Sequence, residues 1–275
     1  MARSPEDVSK IARCLIEKLR KEIDSTKFSF EGEPQTRRAL LMLASKSLRI
    51  SDAVCSLVCG GFYSEAFGLS RTSLEAFLVA KYISNRAKGK DPEKRAASYF
   101  NFAKAHFYNA EQFRQLFFPE ADPGSPQLSE WVRDAEDKTK FPSLTCWQSA
   151  YNMAQEKFFH PLEIVNSDGK HYQAEAEYKS LYEETSHFVH AGSLSLAAHN
   201  PRTDQFITTT SDDQPQLGIR SVFIGLDYAY RTCIIAGWEF DVMLPSEVQA
   251  AVGTFREEVV TDLEALGVLA KRLHK

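Results

Sequence analysis

The residues best suited to chemistry lie in one short stretch, YEETSHFVHAGSLSLAAHN, which spans residues 182–200. It contains three of the seven histidines in the chain, together with a phenol and several hydroxyl groups. Imidazole can ligate a metal ion or transfer a proton near neutral pH. The first question is therefore whether His187, His190 and His199 converge on one metal ion.

Helical geometry argues against such a three-histidine site. At about 100° per residue, and with Tyr178 as zero, His190 falls at about 120°, His187 at about 180° and His199 at about 300°. A set of Glu183, His187 and His190 shares one face and stays open as a metal-binding alternative, although the chain has no HExxH motif. We expect an ion pair or exposed histidines here, and we expect neither a bound metal nor a cofactor.

A second pattern in the same helix combines a phenol, a hydroxyl and an imidazole. Tyr182, Ser186 and His190 recur every four residues, and Ser193 lies one turn further on. Residues four apart share one face of a helix, and the neighbouring face of this helix is apolar. Polar groups this close to a core need hydrogen-bond partners.

Partners for these groups are expected on an earlier, largely apolar helix. Arg71 and Glu75 lie one turn apart within GFYSEAFGLSRTSLEAFLVAKYI. We predict that both join Tyr182, Ser186 and His190 in one polar network. Two interpretations remain open, because a charged pair in an apolar helix is either a buried structural network or a functional site.

Composition limits the class of protein. The chain has 275 residues, is 43% hydrophobic and carries a net charge of −4. This size supports a substantial core, and the negative charge argues against a surface built as a whole for nucleic acid. The charged N-terminus resembles no signal peptide, and no apolar run reaches the roughly 18 residues of a membrane span. We therefore expect a soluble, cytoplasmic protein that is not inserted in a membrane.

Neither the cysteines nor the basic segment of the chain indicates a specific site. The five cysteines lack paired CxxC spacing, so we predict reduced thiols in the core. The segment RAKGKDPEKR, residues 86–95, contains a turn and then Asp91-Pro92, which is typical of a helix start. We predict that it is a solvated loop between two helices.

A period of 3.6 residues dominates the hydrophobic pattern, which predicts an all-α bundle of about seven to nine helices. One short β-like hairpin or extended loop is expected near residues 204–216. We predict a single helical domain, 1–275. Its parts are a core bundle of about 36–119 plus 174–242, peripheral short helices at about 120–173, and a C-terminal helix at about 246–274.

Individual helix ends follow from breaks in this pattern. The first helices are predicted at about 5–22 and 36–59, and Gly60-Gly61 should end the second and form a tight turn. The third, residues 65–86, is apolar nearly all round and should be central. Another long helix is expected at about 218–242.

The Arg-x-x-x-Glu segment, followed by the four-residue spacing from Tyr178 to His190 and an Ala-Gly-Ser, resembles a bacterial helical family known as domain of unknown function 5677. The resemblance extends over about 36–240. It implies an all-α fold with polar residues recurring at the positions of Arg71, Glu75, Tyr182, Ser186 and His190. It implies no known reaction.

A more distant similarity is to the helical HEPN ribonucleases, which pair an arginine and a histidine four to six residues apart on one helix. No arginine here has such a histidine, but Arg71 and His190 are candidates to supply these groups from different helices. We favour a non-catalytic module that binds a partner protein or small ligand. An enzyme acting on RNA or another phosphoryl substrate is the alternative. A homodimer remains open, and nucleic acid binding is not favoured.

Overall fold

The structure is a computed structural model that describes residues 2–26, 32–102, 150–157, 175–182, 184–185 and 214–267. These residues form eight helical stretches and contain no strand, so the predicted all-α class is confirmed. The helices are α1 (Pro5–Ser25), α2 (Gln35–Cys59), α3 (Tyr63–Ser84), α4 (described over 92–102), α5 (Ala150–Gln155), α6 (Glu175–Glu177, continuing as a π-helical turn, Tyr178–Tyr182), α7 (Pro215–Glu239) and α8 (Ser246–Ala265).

Helix α1 begins where local chemistry predicts. The hydroxyl of Ser4 accepts a hydrogen bond from the backbone N–H of Asp7 at 3.1 Å, and Pro5 occupies the first helical position. A capping hydroxyl accepts a hydrogen bond from a backbone N–H that has no partner within the helix. Proline lacks an N–H, but at the first helical position that group would have no partner within the helix. The predicted start at Pro5 is therefore confirmed.

The turn between α2 and α3 is also as predicted. Gly60 caps the C-terminus of α2, and Gly61 adopts a positive φ of 78°, which glycine tolerates without steric cost. Only three residues connect the two helices, which pack against each other. A connection this short makes neighbouring helices antiparallel.

The start of α2 depends on a residue that is distant in the sequence. Pro34 at the N-cap offers no side-chain hydrogen bond. Instead, the carboxylate of Glu93 accepts hydrogen bonds from the backbone N–H groups of Gln35 at 2.9 Å and Thr36 at 3.0 Å. A carboxylate also complements the partial positive charge at a helix N-terminus. Helix α4 therefore supplies the cap of α2.

Helices α3 and α7 form the centre of the bundle, packed against each other and against α2. They bury 15 of 22 and 19 of 25 residues respectively, as expected for helices that are apolar nearly all round. Helices α2 and α7 approach so closely that the Ser51 hydroxyl donates to the Gly225 carbonyl at 2.6 Å. Helix α1 packs against α2 and α7, and α8 packs outside α1 and α7.

Two sequence-based expectations need correction or fall partly outside the described residues. Most of the expected hairpin near 204–216 is not described, but its last residues belong to α7, which starts at Pro215 because proline suits a first helical turn. The prediction of core thiols is wrong for Cys14 and Cys59, which are exposed. Burial raises the pKa of the buried thiols Cys55 and Cys233 to about 12.

None of the described helices combines the length and the apolar character that a membrane span requires.

Candidate functional site

Arg71 is the centre of a polar cluster between α3 and α6. Its Nε donates a hydrogen bond to Glu75 at 2.9 Å, one turn along α3. Its Nη2 donates to the hydroxyl of Tyr182, and its guanidinium carbon lies 4.0 Å from the centroid of the Tyr182 ring. The structure thus brings together three of the predicted site residues. We call Arg71, Glu75 and Tyr182 the Arg71 cluster.

The aromatic ring of Tyr182 contacts two planar groups. Tyr178 packs on it with ring centroids 4.3 Å apart and an interplanar angle of 20°. The carbon of the Arg71 guanidinium lies 4.0 Å from the same centroid, so the Tyr182 ring contacts both groups. Stacking on an aromatic ring and pairing with a carboxylate both favour the planar guanidinium over an ammonium.

The backbone around Tyr182 is π-helical rather than α-helical. Residues Tyr178–Tyr182 form the π-turn that follows the short α-helical segment Glu175–Glu177. A π-turn has more than four residues per turn, so angles counted at about 100° per residue do not hold across it. The angles assigned above to residues after Tyr178 assumed a regular α-helix and are therefore wrong across this turn. Such turns are frequent at functional sites.

Ion pairs to α7 hold both ends of this segment in place. The Glu177 carboxylate accepts hydrogen bonds from the Tyr228 hydroxyl at 2.8 Å and from Arg231 at 3.0 and 3.1 Å. At the other end, Arg220 donates two hydrogen bonds to Glu184, at 2.8 and 2.6 Å. Paired arginine–carboxylate hydrogen bonds fix orientation as well as position. Helix α7 therefore determines where α6 places Tyr182.

The remaining predicted site residues lie outside the described part of the chain. These are Ser186, His190 and Ser193, together with the metal-binding alternatives at Glu183, His187 and His199. The predicted connection of Ser186 and His190 to Arg71 therefore stays a prediction. Among the described residues, no group of His, Cys, Asp and Glu side chains is arranged to hold a metal ion.

A second arginine cluster, which no sequence pattern had indicated, lies at the C-terminal end of α3. Arg95 donates hydrogen bonds to both Glu156 oxygens, at 2.7 and 3.0 Å, and its guanidinium lies 3.9 Å from the Tyr82 ring centroid. Asn85 also donates to Glu156, and Lys81 donates to the Met153 carbonyl at 3.0 Å. We call the side chains involved the Arg95 cluster: Arg95, Glu156, Tyr82, Lys81 and Asn85.

The predicted solvated loop between two helices at residues 86–95 is confirmed over most of its length, because the segment is largely exposed and α4 starts at Pro92 with Asp91 accepting from the Lys94 backbone N–H at 3.2 Å. Its two ends make contacts that were not expected. Arg95 is buried, and Arg86 donates two hydrogen bonds to Glu239, at 2.9 and 2.7 Å, from the same segment. Lys90 pairs with Glu156 at 3.4 Å. The partners lie at least 60 residues away in sequence, so no local pattern pointed to them. One indication of a buried polar contact here was present in the sequence, namely the charged Lys81 within an apolar run.

Burial and charge act in opposite directions on the titrating groups of the Arg95 cluster. Burial lowers the pKa of Lys81 to about 8, although Glu156 and Glu177 act to raise it. Partial burial also acts to raise the pKa of Glu156. The hydrogen bonds and charge of Arg95, helped by Asn85 and Lys90, outweigh it and hold that pKa below its usual value.

The described residues thus define an all-α bundle with two arginine clusters on its central helix α3. The chain belongs to DUF5677, a family of unknown function, whose model matches residues 37–207. The match covers more than half of the chain and includes Arg71, Glu75 and Tyr182. It ends before α7, whereas the resemblance was expected to continue to about residue 240. No curated protein and no solved structure shows significant similarity to the chain.

Proposed function

We propose that this protein is a cytoplasmic, non-catalytic binding module whose ligand site is the Arg71 cluster. The ligand is a small molecule that carries a carboxylate or phosphate group. Its oxyanion pairs with the Arg71 guanidinium and takes the place of Glu75 as the partner of that charge.

The observation that carries this proposal is the way in which Arg71 is held. Its side chain is 15% exposed, and the Glu75 carboxylate beside it is 37% exposed. The ring of Tyr182 fixes the plane of the guanidinium without neutralising its charge. A guanidinium whose orientation is already fixed loses little side-chain entropy when it binds an anion.

The position of Glu75 further supports a replaceable partner. Glu75 is four residues from Arg71 on the same helix, so their ion pair does not join α3 to another element. Ion pairs at this helical spacing contribute only about 0.3–0.5 kcal/mol where they are exposed, and the Glu75 carboxylate is the more exposed of the two groups here. Removing Glu75 from Arg71 therefore costs little, and the carboxylate can turn to solvent when a ligand arrives.

Binding is favoured over catalysis because of the chemistry that the Arg71 cluster offers. The cluster offers a guanidinium, a carboxylate and a stacked phenol. These groups can form ion pairs and hydrogen bonds with a ligand and can orient it. In the nuclease alternative, the proton transfer would be assigned to His190, which lies outside the described residues. No contact among the described residues favours that alternative.

The experiment is a thermal-shift and calorimetric comparison with three probes: citrate, inorganic phosphate and ADP. A ligand that binds only the folded protein raises its Tm according to its concentration and Kd. We expect at least one probe to raise the Tm of the wild type. Arg71→Ala should abolish this rise, and Arg71→Lys should not restore it, because an ammonium lacks the planar fork.

Arg256→Ala is the matched control. Arg256 also pairs with a carboxylate, that of Asp227, and lies 4.9 Å from an aromatic centroid, that of Tyr230, but it belongs to α8 and is not part of the Arg71 cluster. The Arg256 variant should be less stable and still respond to the probe. The proposal is wrong if no probe binds the wild type, or if Arg71→Ala retains the wild-type affinity.

A further inference from the structure

A groove with a volume of about 830 Å³ follows the exposed face of α2. It extends from Leu41 to Ala53, which is about 18 Å along the helix axis. The C-terminal end of α1, Leu69 of α3 and Tyr99 of α4 form its other walls. None of the residues of the Arg71 cluster or the Arg95 cluster lines it. Its volume lies within the range of about 300–1,000 Å³ that is typical of small-molecule sites.

Most of the residues that line this groove are apolar. They include Ile23 of α1, Leu41 and Ile50 of α2, and Leu69 of α3. Met42, on the same wall, is 50% exposed and is one of five large apolar side chains that the described residues leave exposed. A methionine side chain is flexible and adapts its shape to a bound partner. The groove therefore favours an occupant with a long apolar part.

Two cations line the same groove. Lys46 and Arg49 lie three residues apart on α2, so they are neighbours on the helix surface. Neither forms an ion pair or a hydrogen bond with another described residue. Among the described lining residues the one carboxylate is Asp24, which belongs to α1 and pairs with neither cation. Positive charge exceeds negative charge here, which favours an occupant with an anionic group.

Arg49 differs from the other arginines that the structure describes. Each of the others pairs with a carboxylate or, as Arg38 does with Phe100, lies over an aromatic ring. Arg49 makes neither contact with the described residues. A guanidinium presents parallel N–H groups that match the two oxygens of a carboxylate. Beside an apolar groove, such a group suits the head of an amphipathic anion.

We propose that this groove binds a free long-chain carboxylate of the fatty-acid class. The carboxylate pairs with Arg49 and Lys46, and the hydrocarbon chain lies along the apolar walls. An extended chain of roughly a dozen carbon atoms fits within the length of the groove. Both cations lie on one helix, one turn apart, so they match a single headgroup rather than the spread charges of a protein surface. The site does not depend on the function proposed for the Arg71 cluster.

The test is isothermal titration calorimetry of the full chain with laurate, kept below its critical micelle concentration. We expect laurate to bind to the wild type. Octanoate, which has four methylene groups fewer, should bind at least about tenfold more weakly, since each buried methylene contributes roughly fourfold and the open groove buries only part of the chain. Dodecyltrimethylammonium has the same chain with the opposite charge and should bind at least about fivefold more weakly than laurate.

Two variants test the two parts of the site. The double variant Lys46→Gln/Arg49→Gln removes both charges and should weaken laurate binding at least about fivefold, as expected for exposed ion pairs. Met42→Glu places a carboxylate in the apolar wall and should weaken it at least about tenfold. All three side chains are exposed, so the Tm of the free protein should change by no more than about 2 °C in each variant.

Matched controls change equivalent residues outside the groove. Lys18→Gln/Lys21→Gln removes two exposed lysines that are also three residues apart, on α1. Met243→Glu changes a methionine that is 65% exposed. None of these residues lines the groove, so both variants should bind laurate as the wild type does. Arg71→Ala should also retain laurate binding, so the two proposed sites can fail separately.

The proposal is overturned if laurate does not bind to the wild type, if dodecyltrimethylammonium binds as tightly, or if the Lys46/Arg49 and Met42 variants retain wild-type affinity. Two other occupants of the groove give distinct results, and either result overturns the proposal. Binding to phosphatidylglycerol vesicles without binding to free laurate would assign the groove to a membrane surface. A dimer in analytical ultracentrifugation that Met42→Glu dissociates would assign it to a second copy of the chain.

Discussion

Two sites along α3, one near its middle and one at its C-terminal end, use the same three kinds of group in different ways. In both clusters an arginine stacks on a tyrosine at about 4 Å and pairs with a glutamate. The Arg95 side chain is 10% exposed and that of Glu156 is 18% exposed, whereas Glu75 is 37% exposed. Arg95 also donates to the backbone carbonyl of Tyr82, so more of its guanidinium is satisfied by described residues.

The location of the carboxylate in the chain is the more important difference. Glu156 directly follows α5, so its pair with Arg95 joins that helix to α4 and, through Tyr82 and Asn85, to α3. Glu75 lies on the same helix as Arg71, and their pair joins nothing. Similar contacts thus have different consequences. An arginine whose carboxylate comes from another element ties two elements of the fold together, and one whose carboxylate comes from its own helix does not do so through that ion pair.

The largest effect is expected for Glu156→Gln. The variant leaves the buried charge of Arg95 without its partner, and it should lower the free energy of unfolding by about 2–3 kcal/mol. This is below the loss for a fully buried pair, because Glu156 is partly exposed. Urea unfolding provides the measurement. The matched control Glu75→Gln should lose no more than about 0.5 kcal/mol, and equal losses in both variants would erase the distinction between the clusters.

A smaller effect is expected from the titration of Lys81. Its pKa is about 8 in the folded protein and 10.5 ordinarily. Between these values the unfolded chain binds the proton and the folded protein releases it, so stability should rise with pH by at most about 1.4 kcal/mol per unit. This rise in stability begins near pH 8. Above pH 9 the buried thiols of Cys55 and Cys233 oppose it, because burial raises their pKa values in the folded protein, so that the unfolded chain releases these protons first.

Urea unfolding at about pH 7.5 and about pH 9 measures this Lys81 contribution. We expect the wild type to gain about 1 kcal/mol relative to Lys81→Met, in which the titrating group is absent. An identical pH dependence in the two proteins would show that burial does not penalise the Lys81 ammonium. In that case the Arg95 cluster would be as open to solvent as the Arg71 cluster.

The smallest effect is expected for Tyr182→Phe. The variant loses the hydroxyl that accepts from Arg71 but keeps the ring on which the guanidinium stacks. Since water can replace the phenol at a partly exposed site, we expect a loss of about 0.5–1 kcal/mol. Thermal unfolding is the readout. A loss as large as that of Glu156→Gln would mean that the Arg71 cluster is also a structural network.

Local signals explain what the sequence could predict. Apolar spacing followed by two glycines indicated α2 from Thr36 to Cys59, and the structure places it at Gln35–Cys59. Arg71 and Glu75 stood out because charge is rare in an apolar helix, and Tyr182 because it lies on a polar stripe. Each of these signals is contained within a few turns of one helix.

The features that were missed depend on contacts between distant residues. The partner of Arg95 is 61 positions away, and a pair of that kind leaves no periodic pattern in the sequence. The π-turn at Tyr178–Tyr182 was missed because α-helices and π-turns favour the same residue types, so the sequence does not distinguish them. A helical wheel assumes uniform geometry, so its angles fail wherever tertiary contacts to α7 impose another pitch.

The cap that Glu93 provides for α2 makes the order of assembly measurable. The first turn of α2 cannot protect its amide hydrogens until a residue 58 positions later has docked. Hydrogen exchange at Gln35 and Thr36 should therefore report the detachment of α4 rather than the fraying of α2. In a nascent or truncated chain that ends before residue 93, the same two amides should exchange freely while the middle of α2 is already protected.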